Sequence, residues 1–428
     1  MYDRVRHTPE AAFPPNSDDV TPVFNDEYPA LDIKWLKKQE RRFTRRRRFP
    51  LKFGAAAIIT SSLLHAYLSD VYENEQREQS VQVSLKSIND NPESTSSNAF
   101  IAGFNSLDAN FLTRKLGPAV MQVSRGDLDS VNVGDAPPNP KAIAEKIIEH
   151  AKENNLDEVS LFGYSLGGIE TIKAAVQIAE NSGIRIKAIY LASTPHDIES
   201  LYPDRRNLLS GLTTALSWVP YSEHSTYVQF LLTLGFNIDD FMPGSDLADR
   251  ITHFDGQTFW SDAQYQWDTA WEHKSPSVAT LEYQIDLART DVRSDIKQLA
   301  EATQNNVTPT IVYLRIARPG LDYVVENDKA SSQYCDDARE VHIPCIIVSV
   351  RGSSHDEYYT TQSVNAYNDA LRVNKNEIVQ SFKRQEDIFA SKQANIALSH
   401  LLADAQTSTQ PPATPQPFDD TIQASGQR

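Results

Sequence analysis

Cysteine is scarce in this sequence, with two residues, Cys335 and Cys345, in a chain of 428. Two cysteines are too few for a disulfide scaffold or for a zinc cluster built on thiolates. The sequence also lacks a His-Glu-x-x-His helix, a Walker phosphate loop and a Gly-x-Gly-x-x-Gly turn. These motifs are common signatures of metal and nucleotide sites, so we expect neither a metal nor an organic cofactor.

Basic residues are in deficit over most of the chain. The formal net charge is −16, and it divides into +4 for residues 1–52 and −20 for residues 53–428. Nucleic-acid binding requires clustered Lys and Arg, so an acidic body of this kind argues against a nucleic-acid partner. A hydrophobic content of 40% is that of an ordinary globular protein with a substantial core.

The amino-terminal region has three parts. Residues 1–36 are polar and acidic and are interpreted as a disordered leader, and residues 37–52 hold nine basic residues and one acid. The next sixteen residues, FGAAAIITSSLLHAYL, carry no formal charge and end just before Asp70. We interpret residues 53–70 as a transmembrane signal anchor, although a helix of sixteen residues spans only about 24 Å.

The basic segment sets the orientation of this anchor. Positive residues stay on the cytoplasmic side, so residues 37–52 predict a single-pass membrane protein whose remaining domain faces outward. The alternatives are an amphipathic or buried helix that follows a basic arm, and a cleaved export signal.

From about residue 80 to residue 400 the pattern is that of an α/β domain. Short apolar runs of strand type alternate with segments of helical periodicity, which predicts a mostly parallel sheet flanked by helices. The runs are VQVSL (81–85), AFIAGF (99–104), AVMQV (119–123), VSLFG (159–163), KAIYLAS (187–193), TIVYLRI (310–316) and IPCIIVSV (343–350). The helical patterns cover residues 139–155 and 169–183.

Two regions break this rhythm. Residues from about 198 to 305 are rich in leucine and aromatics and are interpreted as a helical cap insertion. Its tryptophans, Trp260, Trp267 and Trp271, form either an apolar wall facing a substrate or the insertion's own core. Residues 404–428 are rich in Pro, Gln and Thr and are interpreted as a disordered tail.

One motif carries chemistry. Gly163-Tyr164-Ser165-Leu166-Gly167 lies where a predicted strand turns into a helix. A serine hydroxyl is a weak nucleophile, and a tight strand-to-helix turn projects it towards a base while glycines leave room for the close backbone. The helix start adds a positive field, and the amide of Leu166 is a candidate donor to an oxyanion. The alternative is a glycine-rich turn whose serine only caps the helix.

These motifs resemble the α/β-hydrolase fold family over about residues 95–400. The resemblance rests on the segments AFIAGFNS, FGYSLGG, LASTP and VSVRGSSHDEYY and on the order of the elements. It implies a Ser–acid–His triad in that chain order, and an oxyanion hole completed by a backbone amide after the AGF segment. That amide is assigned first to Phe104 and second to Asn105, although Ala102 stands where the family often has histidine.

The resemblance also implies where the base and the acid lie. The base follows the last core strand, and only His355 and His400 of the ten histidines lie beyond that strand. His355 is assigned because His400 falls in a helical pattern. The acid follows TIVYLRI, and Asp322 fits best, with three other carboxylates left open: Glu326, Asp328 and Asp197.

The sequence therefore predicts a membrane-anchored serine hydrolase. Ser165, His355 and Asp322 would cleave a carboxylic or lipid-type ester of a small-molecule substrate through an acyl-enzyme. The alternative is a non-catalytic membrane-tethered protein of the same fold that binds a ligand or partner through its cap. If the Ser165 hydroxyl and the His355 ring are too far apart for a hydrogen bond, the non-catalytic binding protein is favoured. Cys335 and Cys345 form a disulfide if the domain is exported, or else remain separate, with Cys345 an apolar filler.

Overall fold

The structure is a computed structural model, and it describes most of the chain beyond residue 60. The described ranges are 60–76, 83–89, 93–103, 106, 109–133, 139–216, 218–219, 221–236, 238–242, 251–272, 277–318, 322–355 and 360–408. The chain divides into two compact units, Met1–Ser69 and Asp70–Arg428. The leader, the basic segment and residues 409–428 of the tail lie outside the described residues.

The second unit is built on one sheet of seven strands in the spatial order β1-β3-β2-β4-β5-β6-β7. The first strand is antiparallel to β3 and the other pairs are parallel. In chain order the strands are β1 (Ser84–Asn89), β2 (Ser96–Ile101), β3 (Asp127–Asn132), β4 (Glu158–Tyr164), β5 (Arg185–Ala192), β6 (Thr310–Ile316) and β7 (Cys345–Val350). The predicted, mostly parallel sheet is confirmed, and β4 is buried along its whole length because helices cover both faces.

The described residues also form α-helices, some of which cover the two faces of the sheet. They are α1 (60–76), α2 (Asn110–Met121), α3 (Pro140–Glu153), α4 (Gly167–Asn181), α5 (Pro203–Leu216), α6 (Thr226–Phe236), α7 (Ile238–Phe241), α8 (Gly256–Trp271), α9 (Val278–Ala288), α10 (Val292–Ala302), α11 (Asn327–Glu340) and α12 (Thr361–Ser408). Apolar residues of α3, α4, α10 and α11 share one core cluster with one face of the sheet. Residues of α2 and α12 share a second cluster with the other face.

The predicted strand at residues 119–123 is wrong. These residues form the last turn of α2 and the turn that follows it. Their apolar side chains continue the helical repeat of Leu112 and Leu116. The strand that occupies this place in the sheet is β3, whose sequence DLDSVN has no apolar run. Its buried Asp129 accepts hydrogen bonds from the hydroxyls of Ser87 and Ser97 on other strands, which compensates for burial of a charge.

The predicted transmembrane anchor at residues 53–70, and with it the single-pass membrane localisation, is wrong. In the part of the chain that the structure describes, no helix is long and apolar enough to span a membrane. Residues 53–59 lie outside that part. The physical reason lies in α1, which continues past the apolar run through Asp70 to residue 76. Asp70 accepts a hydrogen bond from the amide of Thr226 (2.8 Å), and Asn74 donates one to the carbonyl of His224 (2.7 Å).

A disulfide joins Cys335 of α11 to Cys345 at the start of β7, with a Cα–Cα distance of 5.2 Å. The sequence had left the pairing of these two cysteines open. The bond links two elements that bracket the site, since α11 begins at Asn327 and β7 leads to residue 351.

The helices between β5 and β6 pack through aromatic rings. Trp267 and Trp271 of α8 stack at a centroid distance of 4.6 Å, and Tyr227 of α6 packs edge-on against both. These two tryptophans therefore contribute to packing within the insertion. Trp260, 72% exposed, packs edge-on against Phe259 at a centroid distance of 5.3 Å. The last helix of the predicted insertion, α10, packs on α4 instead and belongs to the core layer.

Candidate active site

Ser165 sits in a strained turn between β4 and α4. It follows the last residue of β4 directly, α4 begins two residues later, and the φ angle of Ser165 is 52°. A left-handed backbone at a residue with a side chain costs of order 1–3 kcal/mol, so surrounding packing must hold it. Such a turn directs the serine side chain away from the strand and the helix.

Gly168 shows how tightly that packing encloses the turn. A Cβ atom at this position would lie 2.0 Å from Oγ1 of Thr194, which is the second residue after β5. Only glycine, which has no Cβ atom, allows α4 to start this close to the residues that follow β5. The adjacent motif glycine, Gly167, is required by a close backbone approach, since a Cβ atom there would lie 2.1 Å from the carbonyl oxygen of Ala102.

The structure brings together the three side chains predicted to form a triad. The Nε2 atom of His355 lies 3.0 Å from Oγ of Ser165, and its Nδ1 atom lies 3.0 Å from Oδ2 of Asp322. All three residues are buried, with exposures of 6%, 6% and 2% for Ser165, His355 and Asp322. The three follow β4, β7 and β6, so the parallel strands deliver them to the same edge of the sheet.

Asp322 is held as a carboxylate by a set of donors. Its Oδ1 accepts from the amides of Val324 (3.0 Å) and Val325 (2.8 Å), and its Oδ2 accepts from the Asn327 side chain as well as from His355. Burial alone would raise the pKa of Asp322. The charge and hydrogen bond of His355, together with the other donors, outweigh burial and bring this pKa below its ordinary value.

The other candidates for acid and base lie elsewhere. The side chain of Asp328 is 70% exposed and pairs with Arg315 at 2.8 Å. Asp197 caps the short helix Ile198–Ser200 and contacts His196 at 3.2 Å. Glu326 precedes α11 and is half-buried, and His400 is exposed on α12. The structure therefore brings neither these carboxylates nor His400 into contact with His355 or Ser165.

Two observations concern the predicted oxyanion donors. Among the described residues, the Leu166 amide has no hydrogen-bond acceptor. Gly103, after β2, lies so close to the turn that a Cβ atom there would be 2.8 Å from Cβ of Ser165 and 3.5 Å from its Oγ. The segment after β2 thus reaches the serine, as the resemblance implies. Phe104 and Asn105, the predicted second donors, lie outside the described residues.

Two site residues escaped the sequence reasoning. The Asn327 side chain donates to Asp322, and the Tyr164 hydroxyl donates to the backbone carbonyl of His355. Asn327 is the first residue of α11, and Tyr164 occupies a variable position of the motif. Neither has a sequence signal of its own, because each role depends on a partner brought close only by the fold.

The described residues contain no group of three or more His, Cys, Asp or Glu side chains arranged to hold a metal ion. What the arrangement offers chemically is a hydroxyl, an imidazole and a carboxylate joined by hydrogen bonds. The amide of the next residue, Leu166, has no acceptor among the described residues.

Comparison with known proteins finds similarity in solved structures alone. No family model and no curated protein matches the chain. A bromoperoxidase from Bacillus anthracis is 14% identical, with 68% of this chain and 94% of that chain covered and a TM-score of 0.41. An esterase from Exiguobacterium antarcticum is 12% identical, with 69% and 95% covered and a TM-score of 0.42. MenH from S. aureus is 12% identical, with 72% and 99% covered and a TM-score of 0.39.

The predicted α/β-hydrolase fold is confirmed. The sheet is parallel apart from its first strand, helices cover both faces, and the serine turn joins the central strand β4 to α4. The chain order serine, aspartate, histidine is the order found on this fold.

Proposed function

We propose that this chain, which has the α/β-hydrolase fold, is a serine hydrolase that cleaves carboxylic esters through an acyl-enzyme. Ser165 is the nucleophile, His355 the general base and acid, and Asp322 the residue that orients the imidazole. The Leu166 amide is one oxyanion donor, and the amide of Phe104 or Asn105 is the other.

The catalytic cycle follows from these roles. Nε2 of His355 takes the proton of the Ser165 hydroxyl as Oγ attacks the ester carbonyl, and the amide donors stabilise the negative charge on the former carbonyl oxygen. The protonated imidazole then gives its proton to the leaving alcohol, which leaves an acyl group on Ser165. A water molecule, deprotonated by His355, attacks that acyl group. The bond between the acyl carbon and Ser165 Oγ breaks, the imidazolium returns its proton to Oγ, and the carboxylic acid leaves.

One observation carries the proposal: the 3.0 Å separation of Ser165 Oγ and His355 Nε2 at a serine whose backbone is left-handed. A serine that only caps a helix needs neither a base beside it nor the cost of a strained backbone. The pair is also within hydrogen-bond range, whereas the binding-protein alternative is favoured by a larger separation. Both facts support a catalytic serine over a non-catalytic protein of the same fold that only binds a ligand.

Hydrolysis of p-nitrophenyl esters by the full-length chain tests this function. We expect turnover of acetyl, butyryl and octanoyl esters, with a burst of nitrophenol where deacylation is slow, and no turnover of the matching anilides. Ser165→Ala should lower kcat by about four to six orders of magnitude, as removal of a triad nucleophile does.

Ser160→Ala is the matched control. Ser160 is also a buried serine of β4, but its hydroxyl contacts Ser124 at 3.3 Å and not the base. We expect its kcat to stay within about threefold of wild type, since its hydroxyl touches no reacting group. A Ser165→Ala variant that keeps wild-type turnover would overturn the proposal.

A further inference from the structure

The residue that precedes the nucleophile contacts the loop that carries the base. Tyr164 is the last residue of β4, and its hydroxyl donates a hydrogen bond to the backbone carbonyl of His355. The two rings also pack together, with a centroid distance of 5.6 Å and an angle of 53° between their planes. Tyr164 therefore contacts both the backbone and the side chain of His355.

This bond restrains the His355 backbone directly. Within the part of the chain that the structure describes, the Tyr164 hydroxyl is the sole hydrogen-bond partner of the His355 main chain. The imidazole is held separately, by Asp322 on one nitrogen and Ser165 on the other. Asp322 fixes the rotation of the imidazole ring. The position of the His355 Cα atom depends instead on the contacts that hold the His355 backbone.

Tyr164 is well suited to hold it. The residue is 5% exposed, and its strand is hydrogen-bonded on both sides, to β2 and to β5. A tyrosine side chain has only two rotatable torsions before its hydroxyl, so a buried one is a short and stiff connection. Ser165 follows Tyr164 directly in the sequence, and hence β4 fixes the position of both residues.

We propose that Tyr164 is a positioning residue that sets the distance between the Ser165 hydroxyl and the His355 imidazole. This inference rests on the proposed function, because it assigns Tyr164 a role in the same proton transfer. A misplacement of about 1 Å between reacting groups can cost about 100-fold in rate. Tyr164 is not itself a catalytic residue, since its hydroxyl donates to the backbone of His355 and takes no part in the proton transfer.

The test compares Tyr164→Phe with Tyr334→Phe in the full-length chain. Tyr334 is a matched control, because it is fully buried and its hydroxyl also donates to a backbone carbonyl, that of Pro195 at 3.0 Å. Both variants keep the ring and lose a buried hydrogen bond to a backbone carbonyl. The measurements are kcat and KM for p-nitrophenyl butyrate, the rate of inactivation by a fluorophosphonate, and the melting temperature.

For Tyr164→Phe we expect kcat and the inactivation rate to fall by about 10- to 100-fold, with KM within about twofold of wild type. Tyr334→Phe should lower the melting temperature to a similar extent and leave both rates within about threefold. The proton between His355 and Asp322 offers a second readout. Its downfield NMR signal should be sharp in wild type and Tyr334→Phe and broadened in Tyr164→Phe.

A donor restored at residue 164 sharpens the test. Replacement of Tyr164 by p-aminophenylalanine keeps an aromatic ring with a hydrogen-bond donor in the para position. We expect this variant to regain at least part of the kcat that Tyr164→Phe loses. Equal rates in Tyr164→Phe and Tyr334→Phe, or a change confined to KM, would overturn the positioning role of Tyr164 and leave the proposed function standing. A folded wild-type chain that the fluorophosphonate does not inactivate would instead overturn the proposed function on which the inference rests.

Discussion

Asp322 Oδ2 and His355 Nδ1 lie 3.0 Å apart in a buried site, although 33 residues separate them in the chain. Their loops follow adjacent parallel strands, β6 and β7. The Asp322 carboxylate accepts from two backbone amides and the Asn327 side chain as well. It is therefore fixed in position and in its charged form, which is what an orienting carboxylate requires.

Asp322→Asn should remove that orientation with little change in shape. We expect kcat for p-nitrophenyl butyrate to fall by about four orders of magnitude, because an amide can hold the imidazole in the wrong tautomer. Asp328→Asn is the matched control: this aspartate is six residues away, exposed and paired with Arg315. Its kcat should remain within about threefold of wild type. The reverse ranking of the two variants would identify Asp328 as the acid.

Glu170 should make stability depend on pH. It lies in the first turn of α4, it is 2% exposed, and its Oε1 has no hydrogen-bond partner among the described residues. Burial raises the pKa of Glu170 from 4.5 to about 8. The native state therefore binds more protons than the unfolded state between these values, and the free energy of unfolding decreases as pH rises from 4.5 to 8.

Glu170→Gln should remove this dependence. Urea unfolding at pH 5, 6, 7 and 8 should show wild-type stability falling by up to about 1.4 kcal/mol per pH unit relative to the variant. Glu149→Gln is the control, since Glu149 is exposed and forms a surface pair with Lys146 at 2.6 Å. Parallel stability curves for wild type and Glu170→Gln would contradict this account of Glu170.

Asp70 caps a helix more than 150 residues away. Its carboxylate accepts from the amide of Thr226, the first residue of α6, and from the Ser225 hydroxyl at 3.2 Å. Asp70→Ala should lower the free energy of unfolding by about 1 kcal/mol, the usual cost of losing an N-cap. Glu75→Ala, at an exposed position of α1, should leave it unchanged. Equal stabilities of the two variants by urea unfolding would show that this cap contributes nothing.

The disulfide between Cys335 and Cys345 should stabilise the fold. It closes a short loop, with a sequence separation of 10, and loop-closure entropy predicts about 3 kcal/mol. The double variant Cys335→Ala/Cys345→Ala should lose about that much free energy of unfolding relative to the oxidised wild type. Titration of free thiols in the unreduced, denatured chain provides the check on pairing. Two reactive thiols per chain would contradict the disulfide.

The sequence reasoning succeeded where the signal is local. The strand, the close-packed glycines and the helix of the serine turn are neighbours in the sequence, and the strand-to-helix turn predicted at Ser165 is present in the structure. His355 was assigned through the α/β-hydrolase resemblance, and the structure places its Nε2 atom 3.0 Å from Ser165 Oγ. Strand β3 was missed because it has no apolar run, and its buried Asp129 is stabilised by Ser87 and Ser97, which only the fold brings close.

The remaining differences have the same origin. Residues 119–123 are apolar enough for a strand, and only packing against the sheet decides that they end a helix. An uncharged run before Asp70 suggested a membrane anchor. The hydrogen bond that Asp70 accepts from Thr226 and the one that Asn74 donates to His224 were not visible in the sequence. Tyr164 and Asn327 were missed because their partners lie far away in the chain.

Labelling with a fluorophosphonate, followed by mass spectrometry of the digested full-length chain, tests the central claim most directly. A serine activated by His355 and Asp322 should carry the label at Ser165, and Ser165→Ala should take up none. The His355→Ala variant should react far more slowly than wild type. A folded wild-type chain that remains unlabelled, or a label on another residue that persists in Ser165→Ala, would contradict the account.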